Sequence, residues 1–247
     1  MICTTEKLPE QLRVQDSGVL HSMRNIKGFK MLNEKELLPT TLDECVISDV
    51  LSKDMLGKII NKVIPFPAFG KSGIIFHGPY GTGKTTLAEL LPELMEKTRG
   101  GSEAQYEMYR CAQSMNGSSL INQLQTATQY VSFNASGNHY SILDEVDNLT
   151  DAAQASLKAI MTGLHGIFIM TTNDITSVDK GVVNRSYVIH MMEAKPQDWL
   201  PLMKRVIVAV GAPLPPDASL IPVIASCNGS AREICSAAVQ VAIQSLN

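Results

Sequence analysis

The run Gly78-Pro-Tyr-Gly-Thr-Gly-Lys-Thr-Thr86 sets glycines, one lysine and threonine hydroxyls at the spacing G-x-x-x-x-G-K-[ST]. Gly78, Gly81 and Gly83 allow backbone conformations closed to other residues and let main-chain N–H groups approach phosphate oxygens. Lys84 supplies a positive charge for β- and γ-phosphates, and the Thr85 hydroxyl is a ligand for Mg²⁺. Pro79, Tyr80, Thr82 and Thr86 complete the loop, and a helix beginning near Lys84 adds the positive end of its dipole. The chemistry is binding of ATP with Mg²⁺. A bare match to this pattern also describes a glycine-rich surface turn before an amphipathic helix. The apolar strand Gly73-Ile-Ile-Phe-His77 ahead of it and a second, acidic motif argue against that alternative.

That second motif is Tyr140-Ser-Ile-Leu-Asp144-Glu145, an apolar strand ending in two adjacent carboxylates. Beside a phosphate loop, Asp144 is placed to hold Mg²⁺ through water, and Glu145 to orient and polarise the water that attacks the γ-phosphate. A carboxylate in the second role is what a hydrolase needs and a mere nucleotide binder does not. Asp147 is expected to cap the next helix or to tune the site. Standing alone, Asp-Glu-x-Asp would read as a solvated turn; the loop at Gly78 makes that the minor reading.

These groups need a scaffold that brings strand ends together. Leu51, Met55, Ile59, Ile60 and Val63 recur at helical spacing before Pro65 and Pro67 break the chain. Helical spacing returns through Leu87, Leu90, Leu91 and Leu94 over Lys84–Lys97. Further strands are expected at Tyr106–Arg110, Tyr140–Leu143, Gly166–Thr171 and Tyr187–Met191, with helices at Ser118–Gln129 and Asp151–Met161. Strands alternating with helices predict a parallel sheet covered on both faces, a three-layer α/β fold. After Met192 only helical patterns remain, at Pro196–Val210, Leu220–Ala225 and Ser230–Leu246, joined by the proline-rich Gly211–Pro216. The expected organisation is an N-terminal extension over residues 1–35 without a firm period, an ATPase core over 36–192 and a helical lid over 193–247.

Bulk properties narrow the function classes. A net charge of −3 gives no global cationic field, so nucleic-acid binding would need a local patch or one assembled across subunits. Cys3, Cys45, Cys111, Cys227 and Cys235 form no Cys-x-x-Cys pair, which indicates neither a disulfide framework nor a zinc site. No basic segment leads into an apolar stretch at the N-terminus, and no apolar run approaches the roughly 20 residues of a membrane span. The expectation is a protein that is not exported, cytoplasmic or associated with nucleus or nucleoid.

The ordered motifs resemble the AAA+ ATPases and, within them, clamp-loader subunits of the replication factor C type. Leu38-Pro-Thr-Thr-Leu-Asp-Glu-Cys-Val46 is similar to the family's Pro-Lys-Thr-Leu-Asp-Glu-Val-Val segment, which helps enclose adenine. Leu143-Asp-Glu-Val-Asp and the helix through Ala153-Gln-Ala-Ser-Leu157 carry the most specific likeness. The resemblance implies a P-loop NTPase fold with a small all-helical C-terminal lid. It also implies roles for three downstream residues. Asn173, closing Ile167-Phe-Ile-Met-Thr-Thr-Asn, would be sensor 1 at the γ-phosphate or the attacking water. Arg185, in Val183-Asn-Arg-Ser186, would be an arginine finger acting in trans on a neighbour's ATP. Arg232, in Gly229-Ser-Ala-Arg, would be sensor 2. As isolated residues, Arg185 could instead be a surface ion-pair partner and Arg232 could pair with Glu233. Tyr80 replaces the family's common proline, and Cys111-Ala-Gln113 stands where clamp loaders carry Asn-Ala-Ser, the segment whose polar contact switches the catalytic glutamate. On this resemblance residue 247 falls just after the expected sensor 2 helix, and the family's collar domain is not expected within residues 1–247.

The resemblance implies an oligomeric, Mg²⁺-dependent ATPase that works beside other AAA+ subunits, with a sliding clamp and primer-template DNA as partners. Helicase loading, replication initiation and transposition control use similar modules. A non-hydrolysing nucleotide-binding scaffold is the alternative of another class, and Lys84, Asp144 and Glu145 argue against it.

Overall fold

Five short runs of mostly apolar residues pair into one sheet in the computed structural model, which describes residues 37–111, 117–127, 132–163 and 166–246. The strands are β1 (Gly73–His77), β2 (Tyr106–Arg110), β3 (His139–Asp144), β4 (Gly166–Thr172) and β5 (Ser186–His190). Their spatial order is β2-β3-β4-β1-β5, with every pairing parallel. Parallel strands require crossovers, and helices supply them. The expected N-terminal extension, together with Ala112 and Gln113, lies outside the described residues.

Side-chain alternation along the strands feeds two separate cores. Ile74 and Phe76 of β1, with Ile167 and Ile169 of β4, pack under α1 (Val50–Ile60) and α2 (Lys84–Lys97). Ile75 of β1, with Phe168 and Met170 of β4, packs on the opposite face. There the covering helices are α3 (Gly117–Ala127), α4 (Asp151–Ile160) and α5 (Lys180–Asn184). The three-layer parallel architecture is therefore as the alternation of elements predicts. The fully buried Glu96, near the end of α2, accepts from the Tyr140 hydroxyl at 2.5 Å and from Ser136 N at 3.0 Å. That buried pairing ties the far end of the helix to β3, while its first turn carries the phosphate loop.

Several boundaries differ from expectation for local reasons. β5 begins and ends one residue earlier than expected. Helix α1 stops at Ile60, short of Val63. The short α5 has too few residues to show a period, and the sequence pattern does not predict it. The helix expected from Pro196 opens as a 3-10 turn, Pro196–Trp199, before α6 (Leu200–Val210).

A third apolar cluster joins α6 to α7 (Asp217–Ser226) and α8 (Ala231–Leu246), centred on Trp199, Met203, Ile207, Ile224, Ile234 and Ala238. These C-terminal helices are bonded to the segment that precedes the core: Arg205 donates to Leu37 O at 3.2 Å. Ser48 donates to Met192 O at 3.0 Å where the chain leaves the sheet.

Candidate active site

The phosphate-loop residues follow β1 directly and are squeezed between two neighbours. A Cβ on Gly78 would fall 2.0 Å from the carbonyl oxygen of Met191, the residue just after β5. Gly81 has φ +80, and its Cβ would meet the Ser230 hydroxyl at 2.5 Å. The Gly81 carbonyl also accepts from Ala231 N, the first residue of α8, at 2.8 Å. Side chains are thus excluded from the loop on one side by the exit from the sheet and on the other by the start of the last helix. The Thr82 hydroxyl donates to Pro79 O at 3.0 Å and closes the turn.

Lys84 is buried at the first position of α2, and its ammonium donates to Gly78 O at 2.9 Å and Pro79 O at 2.7 Å. Burial pulls its pKa below the usual lysine value; the carboxylates of Asp144, Asp147 and Glu145 oppose that shift. The ammonium lies 5.9 Å from the centroid of the exposed Tyr80 ring. Thr86 follows on the same first turn, half-buried.

The adjacency of β4 to both β1 and β3 brings the carboxylate motif to the loop. Thr85 Oγ1 donates to Asp144 Oδ1 at 2.8 Å, so the two oxygens read as cation ligands are already in contact. Thr171, at the end of β4, donates to the same Oδ1 at 2.6 Å and accepts from Glu145 N at 2.9 Å. One hydroxyl therefore fixes both acidic residues. The sequence reading passed over Thr171, assigning only Asn173 in that segment. The usable signal was the pair of threonines that closes an otherwise apolar strand, and it becomes meaningful only once β4 is known to lie between β1 and β3.

Glu145 has φ 58 and ψ 54, a left-handed conformation unusual outside glycine and concentrated at functional sites. It is exposed, and its Oε2 accepts from the Asn148 amide at 3.2 Å. Asp147 does not cap the following helix: Thr150 is the N-cap of α4, accepting from Ala153 N. The reason is proximity, since Thr150 immediately precedes the helix while Asp147 is held in a 3-10 turn, Val146–Asn148. Asp147 Oδ1 and Asn173 Oδ1 are buried without a hydrogen-bond partner. Buried acceptors in that state call for a ligand, an ion or water. The Thr85 hydroxyl and the Asp144 carboxylate, in contact with each other, are oxygen donors of the kind a hard divalent cation takes.

Cys111 follows β2, and its N–H donates to Asp144 O at 2.9 Å. Burial first, then the nearby carboxylates, push its thiol up to about 12, which leaves a neutral side chain beside Asp144. His77 ends β1 beside the loop, its ring edge-on to His190 at 5.8 Å with Nδ1 buried and unpartnered. Burial, then the charge of His190, lowers its pKa.

The two arginines occupy different ends of the molecule. Arg232 is exposed in the first turn of α8, one residue past the Ala231–Gly81 bond, and makes no ion pair with Glu233. Arg185 sits before β5, where its carbonyl accepts from Ser72 N and Gly73 N at the start of β1. The whole of β1 separates it from the phosphate loop, roughly 15 Å at about 3.3 Å per residue. The chain therefore gathers Gly78–Thr86, Asp144, Glu145, Asn173 and Arg232 at the carboxyl ends of the strands and leaves Arg185 at the amino ends.

Comparisons with known proteins bear on the fold rather than on the individual side chains. Residues 74–193 match the model of the ATPase family associated with various cellular activities (AAA), just under half of the chain. No curated protein matches the sequence significantly. Among solved structures, the RuvB Holliday junction branch migration motor of Thermotoga maritima is similar with a TM-score of 0.63 at 15% identity, covering 81% of this chain and 63% of that one. A single-residue variant of the same protein gives a TM-score of 0.59 at 16% identity, covering 80% and 63%. The chain thus spans less than two thirds of the structures it resembles, and at this identity the likeness is one of fold. Among the described residues, no helix is long and apolar enough to cross a membrane.

Proposed function

We propose that the AAA domain at residues 74–193 makes this chain an ATP-hydrolysing motor subunit that acts on a DNA-associated protein, with loading of a sliding clamp in replication as the specific task. The observation that carries the ATPase reading is the shared hydroxyl network, in which Thr85 and Thr171 both bond Asp144 while Thr171 also bonds the backbone of Glu145. The clamp-loading task rests on the likeness of Leu143–Leu157 and Leu38–Val46 to clamp-loader segments.

In this reading the main-chain N–H groups of the loop and the first turn of α2 receive the β- and γ-phosphates, and the Lys84 ammonium supplements them. Thr85 and Asp144 would hold Mg²⁺, which when bound neutralises charge on those phosphates. Glu145 accepts a proton from the water whose oxygen attacks the γ-phosphorus. The bond from that phosphorus to the bridging oxygen breaks, and ADP leaves with the electron pair. Asn173 offers its side-chain amide to the γ-phosphate or the water. Arg232 reaches the nucleotide from the C-terminal helices, and Arg185 serves the nucleotide of a neighbouring subunit.

Thr171→Val tests the network. The substitution keeps the volume and removes a hydroxyl that is paired on both sides, leaving Glu145 N–H without its partner. Steady-state turnover is expected to fall about 10- to 100-fold while ATP affinity, read with a fluorescent analogue, changes little. Unchanged turnover would remove Thr171 from the site.

The likeness to RuvB favours a second reading of the client, a motor acting on branched DNA. Co-sedimentation with a non-hydrolysable ATP analogue separates the two. Retention of a sliding clamp is the expected result; ATP-dependent retention of a four-way junction without any clamp would transfer the assignment to the second reading.

A further inference from the structure

Glu145 is exposed, and an exposed glutamate side chain spreads over many rotamers. To meet one water in line with the γ-phosphorus it has to be confined to few of them. Its backbone is confined already. Glu145 N donates to Thr171 Oγ1 at 2.9 Å, and Glu145 O accepts from Asn148 N at 3.0 Å. The two bonds flank a residue at φ 58 and ψ 54, a conformation that a side chain other than glycine keeps only where its surroundings impose it.

The carboxylate is held by the same neighbour as the carbonyl. Asn148 Nδ2 donates to Glu145 Oε2 at 3.2 Å. The 3-10 turn Val146–Asn148 does not need this bond, because it closes through its own backbone. Asn148 N donates to Glu145 O, and Leu149 N donates to Val146 O at 3.1 Å. The side-chain contact is therefore additional to the turn, and it falls on the one group that the chemistry uses. With the amide on Oε2, Oε1, which no described residue bonds, is left to take the proton of the water. An amide suits this task. It donates without titrating, and it does not quench the carboxylate as a base in the way that an adjacent lysine or arginine would.

We propose that Asn148 is a positioning residue of the hydrolysis site, its side-chain amide aiming the Glu145 carboxylate at the attacking water. The proposal rests on the reading of Glu145 as the group that accepts the water's proton.

Turnover against ATP concentration and pH tests it, at a protein concentration where turnover per subunit has levelled off. Asn148→Ala removes the donor within a turn that closes without it; kcat should fall about 10-fold, with KM for ATP unchanged. Asn148→Asp keeps the shape but sets a second carboxylate against Glu145. Its kcat relative to wild type should be lower still at about pH 8 and should recover toward about pH 5.5, as the two carboxylates come to share a proton and the donor is restored. A disturbed turn would not follow pH in this way. Turnover at or above the wild-type value in either variant overturns the proposal, an increase meaning that the amide holds Glu145 away from the water. A loss carried by KM overturns it, and so does a loss in Asn148→Asp of one size at every pH. Failure of the underlying reading looks different: Glu145→Gln would then turn over like the wild type, whatever the Asn148 variants do.

Discussion

Glu145→Gln is expected to lower ATP turnover by about 10²–10⁴-fold and to leave ATP binding intact. The amide keeps the shape of the side chain and its place beside Asn148, but it cannot accept a proton from the attacking water. In the proposed site binding rests on a different set of atoms, the loop backbone, Lys84 and Thr85, which the substitution does not touch. Single-turnover kinetics with radiolabelled ATP, alongside equilibrium binding, would measure both. Retained turnover in Glu145→Gln would remove the carboxylate from the chemistry and overturn its assignment as the group that activates the attacking water.

The second large effect concerns Arg185. Arginine fingers contribute about 10³–10⁵ in turnover in related phosphoryl-transfer sites, or about 4–7 kcal/mol at about 1.36 kcal/mol per decade. Arg185→Ala should lose activity on that scale even when fully assembled. Because Arg185 stands a strand length from its own phosphate loop, the lost activity should be recoverable by mixing. Assemblies of Arg185→Ala with Glu145→Gln place a wild-type arginine against a wild-type glutamate at some junctions, and ATP turnover should reappear there although neither variant is active alone. A mixture as silent as its parts would confine Arg185 to the role of a structural residue between α5 and β5.

The phosphate loop and the Asp144-Glu145 pair were legible because their chemistry is written in short-range spacing, with each motif lying on one strand end and one turn. The three-layer sheet followed from the alternation of elements for the same reason. Strand order is not written locally, and two features waited on it. Thr171 reaches Asp144 only because β4 lies between β1 and β3. The remoteness of Arg185 appears only when the start of β5 is paired with the start of β1. Of the two roles expected of Asp147, the helix cap goes to Thr150, which stands next to the helix. The tight fit of Gly78 against Met191 depends on residues more than 100 positions apart, and no window of sequence displays it.

The phosphate loop touches both ends of the C-terminal helical unit's attachment, Met191 at the exit from the sheet and Ser230–Ala231 at the start of α8. Linkage between binding equilibria is reciprocal. If nucleotide binding shifts the preferred seating of those helices, then a partner that pulls on the helices must alter nucleotide affinity by the same factor. On that condition the bond from Ala231 to Gly81 would make the loop a strain gauge as well: mechanical load on the last helices would be reported, in the same currency of free energy, as a change in how tightly nucleotide is held.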